Sequence, residues 1–385
     1  MDNIKTLDFD FSEGISVLRF GKVFEDGKDY LISGSQKGEL KIIDIPDNIE
    51  EDDFEVVYQF DLSDNGAIWA LETQDVNNDG KEEILVGGMN GAFLCLSGRG
   101  EEVWEFDNVV HRCGSSISGI KVWKNSPLQE KNPDDAPIIV VFSLDKSIRV
   151  LAKDGHMLWS QMFSSGVGTI AFGDTNGNGR EEIIGGGNDG TIRIFDGITG
   201  KLLWFKEMGY NIRSLDCTEN QEIMCGGDNR KIQIIDGKSQ EIERERAFPT
   251  YVWQLKNLGN FILTTTYSFN YLGMNDPSSG EPSIGLYDIN SLEPIWEHVK
   301  FNCQDYCIIN KDRNLVAADT DGNIAYVNLK KEPEIQKHQV PDLINTIICR
   351  KEESTGNLSI FTGCDDKKIY YEQIKNPNYN KKNNY

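Results

Sequence analysis

Asp75-Val76-Asn77-Asn78-Asp79-Gly80-Lys81-Glu82-Glu83-Ile84-Leu85-Val86-Gly87-Gly88 is answered later in the chain by Asp174-Thr175-Asn176-Gly177-Asn178-Gly179-Arg180-Glu181-Glu182-Ile183-Ile184-Gly185-Gly186. Each copy is an oxygen-rich loop that runs into a short apolar strand ending in glycines. A further strand phrase follows each, Gly91 to Leu96 after the first and Gly190 to Phe195 after the second. Self-similarity of this kind decides architecture before any single residue is interpreted.

The rest of the chain repeats the pattern more weakly. A phrase with apolar residues at its first and fourth positions starts at Ile15, Ile68, Ile117, Val167, Ile212, Val252, Tyr306 and Ile344. The spacing, roughly 35–55 residues, is that of four-stranded blades. Second strands follow at Tyr30, Glu83, Ile138, Glu182, Glu222, Phe261, Leu315 and Leu358, and third strands after them. The fourth often carries a tryptophan, as at Trp104, Trp159, Trp204 and Trp296. Short strands rich in Val, Ile and aromatics, separated by Gly, Asn and Asp, are the sheet signature. The expected fold is all-β: a single β-propeller of eight four-stranded blades over residues 1–375, with seven blades as the alternative if the fifth or seventh unit is misread. The last unit lacks a fourth strand, and Ile4 to Asp10 is a spare one. Closure of the last blade by this N-terminal strand follows. Residues 376–385 are too polar to pack and are expected to form a disordered tail.

Each unit needs neighbours to bury both faces of its sheet, so one domain is expected despite the length. The net charge of −23 and pI near 4.6 repel phosphate backbones and argue against nucleic acid. The start, Met1-Asp2-Asn3-Ile4-Lys5, has no apolar core of the signal-peptide kind, and no run approaches a membrane helix. The eight cysteines sit mostly inside strand phrases without metal-ligand spacing, which reads as core thiols in a reducing compartment. A cytoplasmic protein without membrane insertion is expected.

The two acidic loops resemble FG-GAP repeats, the propeller repeats of integrin alpha chains. Phe172-Gly173-Asp174 through Gly179 matches the opening of that repeat, whereas the first copy lacks the leading Phe-Gly. The stretch Asp196-Gly197 through Trp204 resembles the repeat of quinoprotein-type propellers. An intracellular chain with such loops is similar to the scaffold propellers of Bardet–Biedl-type trafficking complexes and of nutrient-signalling complexes. That resemblance implies a trafficking or signalling complex; fold alone fixes no function.

Calcium takes six to eight oxygen ligands in a flexible shell, and a loop with oxygens at alternate positions can wrap one ion. The first loop offers Asp75, Asn77, Asp79 and Glu83, with the carbonyl of Lys81. The second offers Asp174, Asn176, Asn178 and Glu182, with the carbonyl of Arg180. One or two calcium ions are therefore expected, held more tightly in the first loop, where three of the ligands are carboxylates. The alternative is that Asp, Asn and Gly make ordinary turns through side-chain-to-backbone hydrogen bonds.

Propellers usually bind partners through one loop-bearing face. The inner phrases place Ser16, Trp69, Ser118, Gly168, Arg213, Trp253, Cys307 and Asn345 at equivalent positions. Aromatic residues and arginine dominate interface energetics. A protein-binding face is thus expected around Trp69, Arg213, Tyr251, Trp253 and Tyr306, joined by Phe269 and Tyr271 from the long loop of unit six. The opposing reading packs Trp69 and Trp253 between blades. Catalysis is poorly supported. The four histidines are scattered, and no nucleophile elbow, phosphate loop or zinc motif occurs. A non-enzymatic scaffold, as a monomer or a subunit of a hetero-complex, is the reading adopted. A small-molecule or glycan-binding propeller, or a quinoprotein-like enzyme, is the alternative.

Overall fold

The computed structural model describes residues 4–46, 53–104, 114–127, 137–268, 280–310, 314–328, 336–352 and 356–374. These form eight antiparallel sheets, the first seven with their strands laid side by side in chain order. This is the eight-bladed propeller fold rather than the seven-bladed one. Seven sheets have four strands. The second shows three among the described residues, where a bridge from Leu96 to Glu102 begins the next pairing. In the eighth sheet the outer strand is Ile4–Leu7, paired antiparallel with Ile369–Ile374, Ile4 opposite Glu372 and Leu7 opposite Ile369. Closure by the N-terminal strand is therefore realised. Among the described residues the one helical turn is Ser63–Asn65, and no helix is long and apolar enough to cross a membrane. The tail 376–385, the segment 128–136, and Phe269 and Tyr271 lie outside the described residues.

The chain divides into two compact units, one of Met1–Phe20, Asp29–Ile68 and Cys303–Tyr385, the other of Gly21–Lys28 and Trp69–Asn302. The first carries sheets one, seven and eight. Its cores join sheet eight to sheet one through Leu7, Ile15, Leu31 and Phe361, and sheet seven to sheet eight through Val316, Ile324, Ile344 and Ile360. The second carries sheets two to six. There Val140, Ile148 and Phe163 meet Ile170, Ile183 and Phe195, and Ile184 and Ile192 meet Ile212 and Leu215. The second strand of a blade is covered on both faces, so Glu83–Gly88, Ile138–Ser143 and Glu182–Gly187 are buried throughout. Outer strands such as Leu202–Glu207 and Pro294–Val299 are exposed on one face and half-buried on the other, and alternate accordingly.

The glycines near the ends of the two quoted second-strand phrases have a packing reason. A Cβ on Gly87 would lie 2.8 Å from Cγ2 of Ile117, and one on Gly186 would lie 2.7 Å from Cγ2 of Ile212. In both, the first apolar residue of the following inner strand fills the space the side chain would need.

The inner strands share a device that the apolar phrases did not reveal. In sheets three to eight the register slips at the second residue of the phrase, so that Ser118, Gly168, Arg213, Trp253, Gln304 and Asn345 are bulged out of the pairing. A bulge re-aims a side chain at a sheet's rim. It also corrects the seventh unit: the phrase there is Cys303 to Tyr306, not Tyr306 to Ile309, and the bulged residue is Gln304 rather than Cys307. Tyr306 takes the fourth, packing position. A cysteine at the first position, followed by two polar residues, hid the phrase from a search for aliphatic residues.

Candidate functional site: two acidic loops and an arginine–aromatic stack

In the first loop the side chains turn back on the backbone. Asp75 accepts from the amides of Asp79 (3.2 Å) and Gly80 (2.9 Å), Asn77 Oδ1 from that of Asp79 (2.8 Å), and Asp79 from that of Lys81 (2.9 Å). The second loop repeats the scheme. Asp174 accepts from Gly177 (2.7 Å), Asn178 (3.1 Å) and Gly179 (2.8 Å), Asn176 from Asn178 (3.0 Å), and Asn178 from Arg180 (2.7 Å). The backbone is left-handed at Asn78 and Gly80 in one loop and at Gly177 and Gly179 in the other. Asn tolerates that conformation better than other residues with a side chain.

The ninth residue of each loop points inward. Glu83 is 3% exposed, and its carboxylate accepts from the amide of Val76 and from Nδ2 of Asn77, both at 2.9 Å. Glu182 does the same with the amide and hydroxyl of Thr175 (2.7 and 2.8 Å) and Nδ2 of Asn176 (2.6 Å). Burial pushes the Glu83 carboxyl up to about 7, with the charges of Asp79 and Asp75 adding to it. Glu182 is raised for the same first reason, burial. Asp174 moves the other way: burial opposes ionisation, but the amides of Gly179, Gly177 and Asn178 hold it below the usual carboxylate range. Among the described residues no group of three or more His, Cys, Asp or Glu side chains is arranged to hold a metal ion. The oxygens that suit calcium here are those of Asp75, Asn77 and Asp79, with Glu83 braced inside the loop beside them. Lys81 Nζ sits 3.3 Å from Asp79.

The eighth residue of each loop, a glutamate in both, ties the loop to an earlier stretch of its own compact unit. Glu82 exchanges hydrogen bonds with the backbone of Lys22 (2.9 and 3.0 Å). Glu181 accepts from the indole of Trp123 (2.7 Å) and from Nδ2 of Asn125 (3.3 Å). Beyond this point the loops differ. Trp123 is fully buried and stacks on Phe172 with ring centroids 5.0 Å apart and planes 5° apart. Counted from the starts of their strands, Gly21 and Thr73 occupy those two positions at the first loop. A cleft of about 560 Å³ opens beside it, lined by Phe24, Glu25, Asp79, Lys81, Arg99 and Glu101 among others. Sequence reading missed Glu25, Arg99 and Glu101; the paired glutamates in both loops were the one visible sign that position eight has a role.

The expected partner residues are dispersed. Arg213 is held by Asp228 through two bonds (2.8 and 3.1 Å), and its guanidinium lies 5.3 Å from the centre of the Trp253 ring. Trp253 stacks on Tyr267 of its own sheet at 5.0 Å. Tyr251 lies under Arg230 at 5.2 Å. All of these are partly exposed, except Tyr267, which is buried and backs the stack. Trp69 is 48% exposed, so it is not packed between blades.

The family model of the lambda-carrageenase beta-propeller domain matches residues 50–120. No curated protein matches. Solved structures similar to the chain include the computationally designed Ika8 protein, 17% identical, with 95% of this chain and 98% of that one covered and a TM-score of 0.71. Saccharomyces cerevisiae Sqt1 is 12% identical over 95% of this chain and 85% of its own, TM-score 0.62. BamB from Moraxella catarrhalis is 13% identical over 97% and 99%, TM-score 0.62. At these identities the likeness is one of fold: this chain is a β-propeller.

Proposed function

We propose that this propeller is a non-enzymatic interaction scaffold in the cytoplasm, with calcium bracing its first acidic loop. The observation that carries the scaffold reading is the Arg213–Trp253–Tyr267 stack. Asp228 fixes the guanidinium, Tyr267 backs the indole, and both outer groups remain partly exposed. Rigid, half-exposed Arg and Trp lose little side-chain freedom on binding and are the usual anchors of protein interfaces. Calcium is supported by the all-oxygen donor set of Asp75, Asn77 and Asp79, and by the neighbouring Glu83, which a bound cation would relieve of its proton. The ion would hold the loop and supply no chemistry.

Affinity purification of the tagged chain from its own cells, split between calcium and chelator, tests both parts. A stoichiometric partner set that Trp253→Ala abolishes, in a variant that still folds, supports the scaffold reading. A partner set unaffected by that substitution removes the stack from the interface. A second reading, a glycan-binding propeller, rests on the match over residues 50–120, which contains Asp79, Lys81, Arg99 and Glu101 of the cleft. Calorimetric titration with neutral oligosaccharides would replace the scaffold reading if heat of binding appears and Glu101→Ala removes it.

A further inference from the structure

Of the seven cysteines among the described residues, Cys95, Cys225, Cys303 and Cys364 are buried, while Cys217, Cys307 and Cys349 are partly exposed. Cys217 is isolated from the other two in the sequence of sheets, and burial pushes its thiol up to about 12. Cys307 and Cys349 are different. Cys307 Sγ lies 3.5 Å from the carbonyl oxygen of Cys349, and the two thiols are within hydrogen-bonding reach of each other. In their own sheets Cys307 faces Val316 and Cys349 faces Ile360, so the pair joins two neighbouring inner strands, Cys303–Asn310 and Ile344–Lys351.

The environment favours one thiolate over the other. Hydrogen bonds from the side chain and backbone of Cys349 hold Cys307 below the ordinary thiol range, against its burial and the charge of Asp305, with Arg19 adding least. Cys349 is raised, first by that same hydrogen bond and then by burial. A thiol lowered by its neighbour, partly accessible and beside a second thiol on the next inner strand, has the makings of an oxidisable pair.

We propose that Cys307 and Cys349 are a redox-modification site, in which a peroxide converts them to a disulfide between sheets seven and eight. The Cys307 thiolate attacks one oxygen of hydrogen peroxide, breaking the O–O bond. The products are the Cys307 sulfenic acid and hydroxide, which takes a proton to become water. The Cys349 sulfur then attacks the sulfenic sulfur, forming the S–S bond and releasing a second water. Two thiols and one peroxide thus give one disulfide and two waters, and a dithiol reductant reverses the change.

The test uses the full chain, folded and reduced, treated with hydrogen peroxide, then denatured, alkylated, digested and weighed. The expected result is loss of two alkylatable thiols out of eight. A linked pair of peptides carrying Cys307 and Cys349 should appear and vanish on treatment with dithiothreitol. In Cys349→Ser, Cys307 should stop at the sulfenic acid and be captured by dimedone. The proposal is overturned if all eight thiols still alkylate, if the link uses another cysteine, or if wild-type Cys307 stops at the sulfenic acid. The wild-type measurement decides the matter even if the variant does not fold.

Discussion

The two acidic loops begin from nearly the same sequence and end in different surroundings. Each folds its Asp and Asn side chains onto its own amides, tucks its ninth-position glutamate inside, and hooks its eighth-position glutamate to an earlier stretch of its own compact unit. At the second loop Trp123 and Phe172 fill the adjoining space with stacked rings. At the first, where Gly21 and Thr73 hold the matching positions, the loop itself borders a cleft edged by Glu25, Glu101 and Arg99. A loop motif therefore specifies its own turn, whereas the neighbouring sheet decides whether that turn borders a packed core or a space that can receive something.

The largest expected effect separates plug from cleft. Trp123→Ala should cost about 3–5 kcal/mol in denaturant unfolding, because it empties a buried site and strands Glu181. A loss below about 1 kcal/mol would mean that the stacked rings are not what supports the second loop.

The loop aspartates come next. Without calcium, Asp174→Ala removes the acceptor for three amides and Asp75→Ala that for two, each costing about 1–2 kcal/mol by analogy with a lost helix cap. Calcium should raise the melting temperature of the wild type and of Asp174→Ala but not of Asp75→Ala or Asp79→Ala. Equal shifts in all four proteins would remove the metal from the first loop.

Acidity offers a gentler probe. Burial raises the folded Glu83 carboxyl to about 7 from the ordinary glutamate value of 4.5, so the folded chain binds the extra proton between those values. Its contribution to stability is then lost as pH rises through that window, in chelator. Glu83→Gln should flatten the slope of melting temperature against pH there, and an unchanged slope would place the titration elsewhere. The smallest effect is expected for Lys81→Ala, since its half-exposed pairing with Asp79 contributes at most about 1 kcal/mol. A larger loss would show that Lys81 serves the cleft beyond that pair.

Much of the fold was legible because its causes are local. The apolar phrases recur since every blade buries the same positions. Gly87 and Gly186 recur since Ile117 and Ile212 need their space. The spare strand Ile4–Leu7 was readable because the last unit is one strand short. The seventh unit was misplaced by three residues because its phrase starts with a cysteine and carries a partly buried aspartate, Asp305, that accepts the Ile347 amide at 3.0 Å. Pattern alone sees such a residue as polar, when its partner lies on another strand.

The sequence by itself determined eight repeats, strand order within each blade, and two loops whose Asp, Asn and Gly residues bend the chain. Those outcomes depend on contacts within a few residues or one repeat. Only the tertiary structure decided that Glu83 and Glu182 face inward, that the bulge presents Arg213 and Trp253 at a sheet's rim, and that the first loop borders a cleft while the second borders a tryptophan. Each of these depends on side chains brought together from separate strands, and burial and electrostatic surroundings do not exist until those strands have packed.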